Sequence, residues 1–483
     1  MGNLRDLNHR QATALSIDLA PGTVVHVEAS ARSHAAGRLW FGGAPFRMLS
    51  VNQAVADLLT QWKEPTAVTT RTGEGALARR LEVTGFLHVV APAGGELPTM
   101  SVVIPTHGRV GAVANLLAQL HGHDLLVVDD GTEAIDALQL EASCHLHGAK
   151  YVRHEQPLGP AAARNSGATL ATGEVVCFLD SDVVPDESTF SNLLAHFTDP
   201  AVGAVAPRIV VANGTGQLQA YETWSSPLDL GAEPATVRPR SRVSYVPSAL
   251  LFVRRELASR FDESLHVGED VDFIWSLDQQ GWLIRYDPAC TATHPVRPTL
   301  ASWCAQRFAY GTSAGELTNR HGEATTPIAT SGWTALSLLG FLTFSPAIGI
   351  GSLVVPTVLL GRRLRGRTPT PYQLAASTVV LGSLYAGPPL ARQTVRTYGP
   401  FLLAAGILLR PLRLPILCLQ ALAFIPRWWG NRQTSRLIPA LGLQTLDDLS
   451  YSSGVLLGAA HARTRGALRP SFTWFSSSST TED

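Results

Sequence analysis

An apolar run, Val175 to Leu179, breaks off into two aspartates one residue apart, Asp180-Ser181-Asp182. This feature fixes a strand, the place where it ends, and a pair of carboxylates at that end. On an extended strand end alternate side chains point the same way, so Asp180 and Asp182 can converge on one divalent cation while Ser181 faces elsewhere. Hard carboxylate oxygens suit Mg²⁺ or Mn²⁺, and such an ion keeps positions open for substrate phosphates. An acidic cap closing a strand into a turn is the plainer reading of the same residues.

The upstream sequence separates the two readings. Ser101-Val102-Val103-Ile104-Pro105-Thr106 is a short buried strand stopped by a proline, and a helical pattern follows from Val113 to Leu120. A second strand, Leu125 to Val128, ends in Asp129-Asp130-Gly131-Thr132. Lys150-Tyr151-Val152, a turn at Leu158-Gly159 and a helix over Ala161 to Ala171 come next. Apolar strands alternating with helices predict parallel βαβ units, whose ligands bind at the carboxyl ends of the strands. Pro105-Thr106, Asp129-Asp130 and Asp180-Asp182 all fall on that one rim, which strand caps do not explain.

In this order the motifs resemble the inverting GT-A glycosyltransferases of family 2. The segments that carry the likeness are SVVIPTHGR (101–109), LLVVDDGT (125–132), LGPAAARNSGA (158–168), FLDSDVVP (178–185) and GEDVDFIW (268–275). Five motifs in register over about two hundred residues are specific where any one alone is weak. The resemblance implies an α/β fold, a GT-A nucleotide-sugar-binding Rossmann-like sheet, and transfer of a hexose from a nucleotide diphosphate sugar, UDP-glucose first among the donors. It also implies site residues. Asp182 is the main metal ligand, and Asp180 contacts the ribose or the metal. Asp129 or Asp130 meets the base, while Pro105, Thr106 and Arg109 line the nucleotide pocket and Arg164 adds a further contact. Asp270 stands at the general-base position. Its neighbour Glu269 contacts the acceptor or raises the base pKa through like charge. His294 lies where relatives carry a histidine near the metal or the acceptor. The plain alternatives are a helix cap for Glu269-Asp270, a surface arginine for Arg164 and a structural histidine for His294. Trp303-Cys304-Ala305-Gln306-Arg307-Phe308 is a displaced version of the family's processivity motif, so processive addition is not implied.

A chain of 483 residues suggests two or three domains, and 38 basic against 38 acidic side chains give no sign of a nucleic-acid partner. Five cysteines without paired spacing fit reduced thiols. The polar start MGNLRDLNHRQ predicts neither a signal peptide nor myristoylation. Residues 1–92 form a separate unit. A hairpin runs across Gly42-Gly43, Ser50 caps a first helix, a second helix spans about Glu74 to Glu82, and a strand covers 84–90. This arrangement resembles the small winged-helix peptide-recognition domain of pyrroloquinoline-quinone biosynthesis, with a plain accessory subdomain as the other reading. Pro92-Ala93-Gly94-Gly95 links it to a transferase domain at 98–320.

The combination, together with FGGAPFRMLS and QRFAYGTSAGELTNRHG, is similar to the branch of family 2 that serves mycofactocin biosynthesis. That likeness implies β-1,4-linked glucose added to a peptide-derived redox cofactor built from valine and tyrosine. A lipid or cell-envelope polysaccharide acceptor is the alternative. A nucleotidyltransferase would need a longer glycine- and arginine-rich loop than Thr106-His107-Gly108-Arg109. A degenerate sugar binder would have lost Asp180, Asp182 or Asp270.

Residues 324–470 are expected to be helical and membrane-associated. Ala324–Gly361 and Thr368–Ala391 carry no charge and exceed the roughly 20 apolar residues that cross a bilayer. Two crossings would put Arg362, Arg363, Arg365 and Arg367 outside, against the positive-inside rule. Segments that dip in or lie in the interface are therefore expected, at the cytoplasmic face of the cell membrane, with Arg392, Arg396, Arg410, Arg413, Arg427 and Arg432 near anionic headgroups. A soluble, buried helical layer is the competing reading. The Ser/Thr-rich end, 471–483, reads as disordered.

Overall fold

The computed structural model describes residues 12–474, apart from positions 45, 93, 121 and 187. The polar N-terminal undecapeptide, Ala93 of the linker and the tail from 475 lie outside the described residues.

The N-terminal unit is built from β1 (Val24–Val27), β2 (Arg32–His34), β3 (Leu39–Gly42), β4 (Arg47–Ser50), α1 (Gln53–Gln61), β5 (Thr66–Ala67), α2 (Glu74–Val83) and β6 (Leu87–Val89). Strands β2-β3-β4 form one antiparallel sheet and β5-β1-β6 another. The hairpin is where the sequence predicts it. The cap of α1 is not. Leu39 pairs with Ser50, so the ladder uses that residue, and Asn52 caps the helix instead by accepting from Val55 N at 3.0 Å. Trp40, Leu59, Trp62 and Phe86 fill the unit's own core.

The central domain runs through β7 (Met100–Thr106), α3 (Val110–Gln119), β8 (Asp124–Asp130), α4 (Ala134–His147), β9 (Lys150–His154), α5 (Pro160–Leu170) and β10 (Val175–Leu179). It continues with β11 (Val184–Pro185), α6 (Thr189–Ala195), β12 (Val202–Val211), α7 (Gln217–Ser225), β13 (Ala235–Thr236), β14 (Leu250–Arg254), α8 (Glu269–Gln279), β15 (Leu283–His294) and α9 (Leu300–His321). Strands β10-β7-β8-β9 are parallel, as the βαβ reading requires. Antiparallel β14 joins them to β12, β15 and β11, and β13 pairs with β15. Buried side chains cover both faces of this sheet, which is why its central strands read as continuous apolar runs.

A buried quartet of charges fastens the N-terminal unit to the back of the sheet. Arg79 reaches Glu82 at 2.6 Å and Asp199 at 2.7 Å, and Arg285 reaches Glu82 at 2.7 Å and Asp199 at 2.6 Å. Two cations and two anions, each shared, leave no buried charge uncompensated.

The C-terminal region comprises β16 (Ala329–Ser331), α10 (Gly332–Leu342), α11 (Pro346–Arg363), α12 (Pro371–Leu408), α13 (Arg413–Gly430), α14 (Leu437–His461) and β17 (Ser471–Thr473). Ser471–Thr473 pairs in parallel with β16, and Trp474 packs edge-on against Trp333 at 5.2 Å. Order thus extends into the segment expected to be disordered, because this strand and this indole find partners. Among the described residues α12 alone is long and apolar enough to cross a membrane. It kinks at Tyr398, whose ψ is 16°, next to Pro400, which lacks the amide of a continuous helix. Leu39 and Phe41 of the N-terminal hairpin pack on Leu360, Leu364 and Leu374, so this region touches both other units.

The tightest packing joins α9 to α14. Gly311 and Gly315 face Gly454 and Gly458, and a Cβ on any of the four would strike backbone of the opposite helix. Small residues four apart on both helices let the backbones touch. Gly454→Val is therefore expected to destabilise the fold by about 1–3 kcal/mol or more, the cost of overpacking. Gly442→Ala, in open space on the same helix, should be neutral or gain up to about 1 kcal/mol. Thermal unfolding of the two variants reads the contrast, and equal melting temperatures would remove the glycine contact as the anchor.

Candidate active site

A cavity of about 1110 Å³ opens at the carboxyl ends of the parallel strands. Pro105, Thr106, Arg109, Asp130, Arg164, Asp180, Asp182, Glu269, Asp270 and His294 all line it, so ten of the eleven residues singled out from sequence converge there. Asp129 does not. It is fully buried, accepting from Tyr151 Oη at 2.6 Å and Thr132 N at 2.9 Å, where it braces the turn after β8. Asp130 reaches the cavity, but its carboxylate also accepts the amides of Leu158 and Gly159, each at 2.8 Å, and so holds the loop that leads into α5.

Arg164 joins the two acidic halves of the site. Its Nη2 donates to Asp180 at 2.9 Å and its Nη1 to Glu269 at 2.9 Å, linking the end of β10 to the start of α8. At 4 % exposure it is no surface arginine. Burial works against its charge, but the carboxylates of Asp180 and Glu269 outweigh that and hold its pKa above the ordinary value. Its expected part as a nucleotide contact is thus joined by a structural one, since two of its donors are committed to protein.

Asp182 is paired with Arg109 and lies 3.7 Å from His294 Nε2. Burial alone would raise its pKa; His294, Arg109 and Arg297 bring it below the usual carboxylate range. Among the described residues no three metal-ligating side chains converge. Asp182 and His294 do make an oxygen–nitrogen pair, with Asp180 on the adjoining strand end. One or two protein ligands, completed by substrate phosphates, is the usual way a small divalent ion is held at a diphosphate, so the donor set fits such an ion.

Asp270 opens α8 behind Gly268, which sits at φ +84° and whose added Cβ would lie 2.7 Å from Ser313 Cβ. Only glycine suits that conformation and that space. Burial first, and the negative charge of Glu269 second, push the Asp270 carboxyl up to about 7, with Arg164 opposing. Tyr310, on α9, is pushed up to about 12 by burial and by Asp270.

Several lining residues were not foreseen as part of a site. Tyr245, Arg297, Gln306 and Tyr310 come from the central domain, and Arg392, Arg396, Arg427 and Tyr451 from the C-terminal helices. Arg392 pairs with Asp448, and Arg396 reaches Asp447 at 2.8 Å. The expectation that Arg392, Arg396 and Arg427 face lipid headgroups is therefore corrected: carboxylates on α14 draw the first two inward, and Arg427 stacks over Trp224 at 5.2 Å. The signal lay in charge. Between 324 and 470 the chain has fourteen arginines and only two carboxylates, Asp447 and Asp448. Among the described residues, none of the N-terminal unit lines the cavity.

Residues 101–258 match the sequence model of Glycosyl transferase family 2. Over 473 residues the chain is 34 % identical to the pre-mycofactocin glycosyltransferase of Mycobacterium tuberculosis, covering 94 % of this chain and 98 % of that one. The chain belongs to family 2 of the glycosyltransferases. It is an enzyme that transfers glycosyl groups, built on the GT-A-type α/β sheet. Validoxylamine A glucosyltransferase of Streptomyces hygroscopicus subsp. jinggangensis is 32 % identical over 122 residues, 23 % of this chain and 29 % of that protein. Among solved structures, a mannosyltransferase of Pyrobaculum calidifontis in complex with GDP-Man and Mn²⁺ aligns with a TM-score of 0.40 at 17 % identity, over 74 % of this chain and 89 % of that one.

The electrostatics of the family 2 site yield a direct test. Glu269→Gln removes the like charge beside Asp270, so the Asp270 titration should move to lower pH. Difference infrared spectroscopy of the carboxyl band reads the midpoint, and an unmoved midpoint would mean that Glu269 does not set it.

Proposed function

We propose that this enzyme transfers glucose from UDP-glucose, with inversion, onto a pre-mycofactocin-type acceptor, a peptide-derived redox cofactor, as β-1,4-linked units. The observation that carries the reading is the extent of the likeness. The pre-mycofactocin glycosyltransferase of Mycobacterium tuberculosis matches along nearly its whole length, N-terminal unit and C-terminal helices included.

Inverting transfer is a single displacement. The acceptor oxygen bonds to the anomeric carbon as the bond from that carbon to the diphosphate oxygen breaks, and the acceptor proton passes to a base. Asp270 takes that proton in this reading. A base is most effective when its pKa lies near the working pH, and burial beside Glu269 supplies that match. Because the deprotonated form is the active one, the rate should climb as pH rises through about 7. Arg164 holds Glu269 and Asp180 in fixed relation, which keeps the base at a set distance from the donor. Asp182 and His294, with Asp180 beside them, would hold Mg²⁺ or Mn²⁺. Such an ion, when bound, acts as a Lewis acid toward the leaving diphosphate. Arg109, now paired with Asp182, is placed to meet a phosphate oxygen once that carboxylate has another partner.

Diphosphate release from a panel of nucleotide sugars, with mycofactocin precursor as acceptor, tests the reaction and the donor. UDP-glucose should be the preferred donor, and the product should carry β-linked glucose. Asp270→Asn should lower kcat by about 10² or more while leaving UDP-glucose affinity nearly unchanged. Asp182→Asn should abolish metal-dependent nucleotide binding. A proportional loss of donor affinity in Asp270→Asn would make that residue structural, and glycosylation of a lipid in place of the precursor would overturn the acceptor.

The same reading includes attachment to the cytoplasmic face of the membrane. Ile350, Leu384, Tyr385, Ile407, Leu408 and Leu417 are each more than half exposed on the C-terminal helices. Arg410 and Arg432 stand near this apolar surface in sequence, which suits anionic headgroups. A full crossing by α12 is disfavoured, because Arg392 and Arg396 on that helix line a cavity that must admit a water-soluble nucleotide. Vesicles containing phosphatidylglycerol should sediment the full chain and vesicles of phosphatidylcholine alone should sediment less. Recovery in the supernatant with both would remove the membrane from the proposal.

A further inference from the structure

The seam between the catalytic domain and the C-terminal helices brings an aromatic surface to the cavity. Tyr310 of α9 and Tyr451 of α14 both line it, together with Tyr245 from the segment between β13 and β14. All three are half-buried. Fully buried Tyr221 packs edge-on against Trp224 at 5.0 Å and Trp303 at 5.9 Å, whereas among the described residues the three cavity tyrosines have no ring partner. The Arg396 guanidinium lies over the Tyr451 ring at 4.1 Å, and Tyr310 Oη is held 2.9 Å from the Gln306 amide. These contacts orient the rings without supplying them with aromatic neighbours.

Packing fixes this surface beside Asp270. Gly268, just before α8, lies so close to α9 that an added Cβ would sit 2.7 Å from Ser313 Cβ, and Ser313 Oγ donates to Tyr310 O at 2.9 Å, one turn back along α9. An added Cβ on Gly311, next to Tyr310, would strike Tyr451 O, so the glycine contact that seats α14 on α9 also sets Tyr451 beside Tyr310. On the other flank, Trp275 Nε1 of α8 donates to Ser244 O at 2.7 Å, which ties the residue before Tyr245 to the helix that carries Asp270 in its first turn.

The face of a tyrosine ring is electron-rich and its edge electron-poor. The axial C–H groups of a glucose ring make a flat, faintly positive face that matches it, and an aryl ring stacks on it offset or edge-on. A site that grips hydroxyls by hydrogen bonds rejects an acceptor lacking them by about 10⁴; ring contact makes no such demand. Stepwise β-1,4 addition needs that tolerance, because the first acceptor is the tyrosine-built cofactor and each later one ends in glucose. We propose that Tyr245, Tyr310 and Tyr451 form a stacking subsite for the acceptor's terminal ring, aryl in the first round and glucose afterwards, with the ring's hydroxyl turned toward Asp270. This deepens the functional reading above and rests on Asp270 as the base. Binding is measured by calorimetry on the full chain saturated with UDP and Mn²⁺, so that no turnover is needed. Two uncharged probes are used, N-acetyl-tyrosinamide for the aryl ring and methyl β-cellobioside for the sugar.

Both probes should bind the wild-type protein. Tyr451→Leu, which keeps an apolar side chain and removes the ring, should weaken both by about fivefold or more, the scale of one lost ring contact. Tyr310→Leu should reproduce the loss, Tyr451→Phe should retain both affinities, and UDP affinity should be equal in all four proteins. Weakening of both probes without any glycosylation of mycofactocin precursor would support the subsite and count against the acceptor proposed above. Loss confined to one probe would overturn a subsite shared by the two rings. Unchanged binding in Tyr451→Leu, or failure of the wild-type protein to bind either probe, would overturn stacking altogether. A loss in Tyr451→Phe as large as in Tyr451→Leu would put the hydroxyl in place of the ring, and a fall in UDP affinity in Tyr451→Leu would make the residue structural; either result overturns the inference.

Discussion

One guanidinium holds the two halves of the site together. Without Arg164, Asp180 at the end of β10 and Glu269 at the start of α8 would be two carboxylates facing each other across a partly buried cleft, a repulsive arrangement. The bridge turns that repulsion into a fixed spacing. The consequence reaches Asp270. Glu269 is committed to Arg164, yet its charge still bears on its neighbour, so the Asp270 carboxyl is raised by burial and by like charge at once while the cation limits how far. The two acidic halves of the site are therefore set by the same residue, and each depends on α5 being seated where Pro160 starts it and Asp130 holds the preceding loop.

The C-terminal helices follow a similar logic on a larger scale. An apolar layer rich in arginine would fall apart or face outward if its charges had no partners. Asp447 and Asp448 on α14 draw Arg392 and Arg396 of α12 inward, and Arg307 of α9 meets Asp447 from the catalytic side. The glycine contact between α9 and α14 brings these charges within reach of one another. Packing of the smallest residues and pairing of the largest polar ones thus act on the same interface. The arginines left over, such as Arg410 and Arg432, remain outside.

What the sequence made legible was the part governed by short-range rules. Strand ends, the alternation of βαβ units and the glycine-led start of α8 are local, and the residues they carry, from Pro105 to His294, meet in one cavity. What it concealed depends on contacts between distant segments. Asp129 and Asp130 are adjacent and chemically alike, and which one is drawn into the interior depends on partners such as Tyr151, on the neighbouring strand. Arg164 reads as a ligand contact from its motif, and its bridging part depends on Glu269, 105 positions away. Arg392 and Arg396 lie in a stretch whose hydropathy speaks of membrane, and their partners come about fifty residues later. Hydropathy averaged along a helix cannot register that two of its charges are neutralised from another helix. Ser50 failed as a cap for a smaller reason of the same kind, since pairing with Leu39 kept it in the strand.

The N-terminal unit tests how far a domain boundary in sequence is a boundary in energy. Its own core and its linker suggest an independent module. The quartet of Arg79, Glu82, Asp199 and Arg285 contradicts that independence. Removing residues 1–92 would strip Arg79 and Glu82 from the set and leave Arg285, 5 % exposed, with Asp199 alone of its two ion-pair partners in the quartet. The loss of one side of a buried pair is costly, on the order of 3–5 kcal/mol. A truncated enzyme would therefore fail through the folding of its sheet as readily as through acceptor recognition. Because the unit stands behind the sheet and lines none of the described cavity, any part it has in recognition must act on the acceptor away from the reacting hydroxyl. Substitutions on its exposed face, such as Phe46 at 68 % exposure, separate that role from stability better than truncation does, since they leave the quartet intact and reach the hairpin's packing on α11 and α12 only through the ring of Phe41.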